Sequence, residues 1–169
     1  MSAEKGLAAL RVFFGLILFS NGLAKLFDFR TVEIGPYSAF LINRDEARGI
    51  LDFEVNQRAG GTDVPLLSSV VNDVILPRWD VFQWLTTALE LGAGAALIVG
   101  IASRGAALAA LTQQLFLALV YLSSGRWMWE QPHEWVPLVI LALAPAGRTW
   151  GFDRTLVHRG VKRYGGWPF

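Results

Sequence analysis

The chain has no cysteine in its 169 residues, which excludes disulfide frameworks, Cys-ligated zinc, iron–sulfur clusters and thiol catalysis. Charge is scarce as well. Only 17% of residues are Asp, Glu, Lys or Arg, and 15 basic against 14 acidic residues leave a net charge of +1. That balance lacks the Lys/Arg excess that neutralises phosphates, so no nucleic acid is expected as a partner. Histidine occurs only as His133 and His158, and there is no P-loop, nucleophile elbow or Gly-rich dinucleotide fingerprint. In place of these the chain has apolar side chains: 53% of residues are hydrophobic and the mean hydropathy is +0.40. Its few charges crowd between long stretches that carry almost none. The length suits one domain, residues 1–169, and the lipid bilayer is the leading candidate for its solvent.

A transmembrane helix needs about 20 mainly apolar residues to cross roughly 30 Å of hydrocarbon. Residues 7–27, 79–101, 105–123 and 134–150 qualify, although the last contains Pro137 and Pro145. The expected fold is all-α: a four-helix transmembrane bundle with a long extracytoplasmic loop, 28–78, carrying short amphipathic helices, and a cytoplasmic tail, 151–169. A soluble all-helical protein is the rival, but these windows are apolar on nearly every face, whereas a soluble surface helix shows a polar side. Arg11 interrupts the first window and no A-x-A-like site follows it, so it is read as retained rather than cleaved. Lys5, Arg104, Arg148, Arg154, Arg159, Lys162 and Arg163 fall on one side, which places both termini of a multi-pass cell-membrane protein in the cytoplasm. Within the loop, Thr62 or Asp63 is expected to cap a helix entered through Pro65 and stopped by Pro77, its apolar face lying on the outer headgroups. A second short helix is expected within 38–53, and a turn at 58–62.

Polar residues inside the windows fall on stripes. Arg11, Gly15, Leu18, Asn21, Gly22 and Lys25 share a wedge of about 120° on the first helix, so that face must meet protein. Gln83, Thr86, Thr87, Glu90 and Gly94 form a comparable stripe on the second, where Gly92, Ala96 and Gly100 also offer a small-residue packing surface. Ala106, Ala109 and Ala110 do the same on the third. Glu90 lies near mid-window, and an intramembrane carboxylate pairs, protonates or lines water. Aligning window midpoints sets Gln113 and Gln114 level with Glu90, Asn21 about 6 Å further out and Arg11 about 9 Å toward the cytoplasm. Lys25 would sit higher, near the outer interface. An Arg11–Glu90 pair is then within geometric reach, either as a structural ion pair or as part of a ligand or proton site.

Tyr121, Trp127, Trp129, Glu130, His133, Glu134 and Trp135 crowd around the connection between the third and fourth windows. They read either as an interfacial aromatic belt or as the rim of a pocket running down to Glu90, with Trp127, Trp129, His133 and Glu134 at its mouth. The two histidines fall on opposite sides of the membrane, which argues against an intrachain bis-His haem. The spacing of Glu130, His133 and Glu134 is too weak to assign a metal.

The run Leu10-Arg11, Gly15, Asn21-Gly22 and Lys25-Leu26, then Leu89-Glu90-Leu91-Gly92, Leu97-Ile98-Val99-Gly100-Ile101 and Arg104, and finally Ala146-Gly147-Arg148-Thr149-Trp150-Gly151-Phe152-Asp153, resembles the DoxX/DoxD family. The resemblance spans all four windows. It implies a four-helix membrane protein of the kind found as the small subunit of thiosulfate:quinone oxidoreductase, or in other membrane redox complexes. The function expected on that basis is a membrane subunit that binds a quinone or similar amphipathic ligand and assists a redox partner, with no covalently bound cofactor. If enzymatic, it would be an accessory subunit. Lys25, Asn21, Gln113 and Gln114 would then supply donors to quinone carbonyls while Glu90 handles a proton. The alternative is a non-catalytic scaffold or small-solute carrier whose buried charges specify helix packing.

Overall fold

The structure is a computed structural model that describes residues 2–58, 61–159 and 167–169. Most of these residues are helical, and three helices are long and apolar enough to cross a membrane: Ala3–Phe27, Leu67–Val99 and Ser103–Val120. The first, α1 (Ala3–Phe27), buries Arg11, Gly15, Leu18, Gly22 and Lys25 of the expected stripe. Its opposite face leaves Phe13, Leu16 and Ile17 exposed. Leu85, Leu119 and Ile140 are exposed in the same way on the other long helices, an outward apolar surface larger than a water-soluble monomer usually shows.

The closest contact in the molecule joins α1 to α4 (Trp79–Val99). A Cβ added at Gly94 would lie 2.5 Å from the Phe19 nitrogen, one at Gly22 2.9 Å from the Leu91 nitrogen, and one at Gly15 2.8 Å from the Ile98 nitrogen. The two backbones therefore touch in an antiparallel register that sets Leu23 beside Glu90. This contact uses Gly94 against Gly15 and Gly22. Of the stripe of Gly92, Ala96 and Gly100 expected to pack closely, Gly92 has nothing within 4 Å of an added Cβ, while Gly100 packs tightly against Arg11 and Gly151. Next come α5 (Ser103–Val120) and α6 (Pro132–Leu143), whose Ala107, Ala110, Leu111, Leu138 and Leu141 close a core with Leu18 and Leu97.

Three expectations are corrected. The fourth window, 134–150, is helical only from Pro132 to Leu143. At 1.5 Å per residue those 12 residues rise about 18 Å, well short of the hydrocarbon thickness. Pro145 sets that limit by forcing Ala144 out of the helical region to φ −96° and ψ 139°. Pro77 does not end the loop helix: α3 (Leu67–Ser69) runs through a π-helical turn, Val70–Ile75, and a 3₁₀ turn, Leu76–Arg78, straight into α4. The carbonyl of Asp73 that a residue 77 N–H would have bonded is taken instead by Arg78 Nη1 at 3.1 Å. The apolar face of this segment is also shared: Leu67, Val71 and Ile75 are buried in a second core with Leu51, Val55, Trp79 and Val120, while Val70 and Val74 are exposed.

The described residues, mostly helical, also contain one short piece of β-structure. β1 (Thr31–Ile34) and β2 (Tyr37–Phe40) form an antiparallel hairpin in which Ile34 faces Tyr37. Gly35 has φ +58° and Pro36 follows, the pattern of a two-residue hairpin turn with glycine at its first central position. The helix expected within 38–53 is α2 (Arg44–Asp52), capped by Asn43 Oδ1 accepting from the Glu46 N–H at 3.0 Å and followed by a π-helical turn, Phe53–Gln57. Part of the tail forms α7 (Asp153–His158). Ala59 and Gly60 of the expected turn, and Lys162 and Arg163 of the tail, lie outside the described residues. Gly94→Val should push α1 from α4 and cost about 1–3 kcal/mol of overpacking. Thermal unfolding in detergent should show a lowered midpoint for it, and none for Gly92→Ala.

Candidate ligand cavity

One buried polar cluster ties α1, α4 and α5 together. Lys25 Nζ stands 2.9 Å from Glu90 Oε2, and the Gln113 Nε2 donates to Glu90 Oε1 at 2.7 Å. Lys25 Nζ also donates to the Ile42 carbonyl at 2.9 Å, and the Ile42 N–H donates to Asn21 Oδ1 at 3.0 Å. Both backbone groups of Ile42, at the entry to α2, are thus held by α1. Lys25 and Glu90 are 3% and 5% exposed, so each charge depends on the other for its compensation. The long Lys25 stem reaches along α1 to bring its ammonium to this level. Midpoint alignment, in contrast, puts Lys25 well above Glu90.

Three oxygens of the cluster accept no hydrogen bond from the protein: Glu90 Oε2, Gln113 Oε1 and Gln114 Oε1. At Oε2 the lysine contact is an ion pair outside hydrogen-bonding geometry. Oε2 is thus compensated by the Lys25 charge 2.9 Å away, which leaves the two glutamine oxygens as the acceptors without a donor. All three residues line a cavity of about 950 Å³. Its walls include Phe14, Leu18, Trp79 and Phe82, and its upper end reaches Tyr121, Glu130, His133 and Glu134. Phe13, Ile17 and Leu85 also belong to the lining although they are exposed, so the cavity opens sideways onto the apolar surface.

The sequence-derived site residues divide accordingly. Glu90, Lys25, Asn21, Gln113 and Gln114 meet at the cavity, as do His133 and Glu134 at its mouth. Trp127 and Trp129 are 69% and 54% exposed and lie outside its lining. Arg11 does not reach Glu90. The α1–α4 register separates Arg11 from the Glu90 level by twelve residues, about 18 Å along the axis. Midpoint alignment pairs Ile17 with Glu90, whereas the close approaches at Gly15, Gly22 and Gly94 pair Leu23 with it, a difference of six residues or about 9 Å.

Arg11 instead organises the opposite end of the molecule. It is fully buried, its Nη2 donates to the Trp150 carbonyl at 3.0 Å, and its countercharge is Asp153. Asp153 in turn accepts from the Ala102 N–H at 2.6 Å, the Ser103 N–H at 3.1 Å and the Ser103 hydroxyl at 2.6 Å, capping α5 from 50 residues away. Gly100 and Gly151 leave the room that the guanidinium fills, since a Cβ at either would collide with Nη1. Arg104 Nε donates to the Ala142 carbonyl at 3.0 Å and holds the last turn of α6.

A second buried acid was missed by sequence reasoning. Glu54, 2% exposed, sits 2.7 Å from Arg126 Nη2 and 3.3 Å from Arg58 Nε. Arg58 Nη2 and the Asp63 N–H both donate to Ser123 Oγ, so the loop is clasped to the α5–α6 connection. The Glu54 hydrogen bond raises the Arg126 guanidinium above its ordinary proton affinity. The spacing of Glu54 and Arg58, four apart on a helical turn, was the available signal. No group of three or more His, Asp or Glu suited to a metal occurs among the described residues.

Comparison with protein-family models, with curated proteins and with solved structures returns no match. Lys25→Met leaves Glu90 buried without its countercharge and is expected to cost about 3–5 kcal/mol, whereas Lys25→Met with Glu90→Leu should recover most of that. Thermal unfolding of the single and double variants in detergent measures both.

Proposed function

We propose that the chain is a DoxX-like integral membrane protein, in which α1, the α3–α4 helix, α5 and α6 form a four-helix transmembrane bundle with both termini in the cytoplasm. In this reading it serves as the membrane subunit of a redox complex and binds a quinone or similar amphipathic ligand. The observation that carries the reading is the cavity: apolar walls, a sideways opening through exposed Phe13, Ile17 and Leu85, and an ionisable cluster at its inner end. A lipid-soluble ligand enters such a space from the acyl chains without crossing water. The short α6 fits a bilayer because the irregular backbone after it is covered by protein, with Ala146 and Gly147 buried. Any electron transfer would use the ligand and a partner subunit's cofactor, since the residues at the cavity are not themselves redox-active.

A second reading, a non-catalytic scaffold or small-solute carrier, draws on the way Lys25 and Asn21 pin Ile42 and so fix the loop above the helices. The two separate on binding. Purified protein in mild detergent, titrated with a short-tailed ubiquinone or menaquinone, should show saturable quenching of tryptophan fluorescence, because Trp79 lines the cavity. Glu90→Gln should weaken the affinity by about tenfold, the scale of one lost charge-assisted contact. Identical, non-saturable signals from wild type and variant would dismiss the ligand site in favour of the scaffold.

A further inference from the structure

The β1–β2 hairpin carries a sheet face that begins against the protein and runs past its edge. Val32 faces Ala39 and Ile34 faces Tyr37 across the strands, so these four side chains share one face, while Glu33 and Ser38 lie on the other. Val32 and Ala39, nearer the base, are half-buried. Ile34 and Tyr37, beside the turn, are 69% and 65% exposed.

The depth of the hairpin base is set by α1. The Leu41 N–H donates to the Arg30 carbonyl at 2.7 Å and closes the ribbon, and the next residue, Ile42, is held through both backbone groups by Asn21 and Lys25. These two stand six and two positions before Phe27, the last residue of α1, so the chain returns from the hairpin about 3–9 Å below the helix end. Phe27 and Phe40, on either side of that base, are exposed. Trp84, also exposed, lies on α4 six residues or about 9 Å outward of Glu90. The Arg44 guanidinium stacks on its ring at 4.9 Å from the centroid and pairs with Asp28 at 3.6 Å. An exposed tryptophan with charges gathered around it is the composition of a membrane–water boundary, and Asp28 and Arg44 bracket the hairpin at that level.

We propose that the β1–β2 hairpin docks on the phospholipid headgroups of the outer leaflet, with Ile34 and Tyr37 pressed toward the acyl chains. The inference rests on the reading that α1 and α4 span a bilayer, and it adds a lipid-binding surface outside the helices. A two-stranded ribbon leaves the outer edge of each strand without hydrogen-bond partners, so it belongs among headgroups and water rather than in hydrocarbon. There an apolar face on one side and Glu33 with Ser38 on the other match the two media. Because Ile42 also lines the cavity, lipid contact at the hairpin holds one wall of the ligand space in place.

A chain without cysteine accepts a single fluorescent label at a chosen point. Full-length protein carrying bimane on Tyr37→Cys, Ser38→Cys or Leu16→Cys is reconstituted into phosphatidylcholine vesicles whose lipids bear a nitroxide either at the headgroup or deep in the acyl chain, with iodide as the aqueous quencher. The headgroup nitroxide is expected to quench the Tyr37→Cys label at least about twofold more than the Ser38→Cys label, and iodide to show the reverse order. Leu16→Cys, on the exposed face of α1, should respond to the deep nitroxide. Equal responses from the two hairpin labels overturn the docking, as does shielding of the Tyr37→Cys label from lipid and iodide alike, which would mean that protein covers the tip. Silence of Leu16→Cys toward the deep nitroxide overturns the membrane-spanning reading, and the docking falls with it.

Discussion

The rest of the molecule depends on the backbone contact between α1 and α4. Glycines at 15, 22 and 94 let the two helices approach until no Cβ fits between them, and that proximity leaves one antiparallel register. Association in a hydrocarbon solvent gains little from apolar burial, so close packing and buried polar contacts are what hold such helices together. The register then decides which charges meet. It brings Glu90 within reach of Lys25 and sends Arg11 to the far end, where a second, separate polar node forms.

These two nodes have different chemistry. Around Arg11 the groups interlock with backbone: the guanidinium bonds the Trp150 carbonyl, and Asp153 spends three hydrogen bonds on the start of α5. They act as a knot that ties the first helix to the segment after α6. Of the residues that carry the DoxX/DoxD resemblance, Arg11, Gly100 and the run from Gly147 to Asp153 converge on this knot, while Asn21, Lys25 and Glu90 meet at the cavity. Glu90 is different: it lines a cavity that extends to Tyr121, Glu130, His133 and Glu134.

Much of this was legible in the sequence. The buried stripe of α1 follows from helical spacing alone, and Glu90 stood out because a carboxylate amid apolar residues demands a partner. The choice of partner was not legible, because window midpoints pair Ile17 with Glu90, whereas the glycine contacts between α1 and α4 pair Leu23 with it. The proline at 77 reads as a stop, yet Arg78 next to it supplies the missing hydrogen-bond donor and lets the helix continue. The hairpin was readable from Gly35-Pro36 between runs of β-forming residues, but Ile34, Tyr37 and Phe40 are mostly exposed and give no alternating burial signal. Glu54 looked like an ordinary loop acid, since its second cation, Arg126, is 72 residues distant.

The register itself is open to direct measurement because the natural chain has no cysteine to interfere. In Gly22→Cys with Leu91→Cys, removal of the leucine side chain makes room for a bridge between the two helices. Oxidation in native membranes should cross-link this pair efficiently, while Gly22→Cys with Ile98→Cys, offset by seven residues or about 10 Å, should stay reduced. Cross-linking of the offset pair together with silence from the first would mean that α1 and α4 meet in another register, and that Lys25 is not the partner of Glu90.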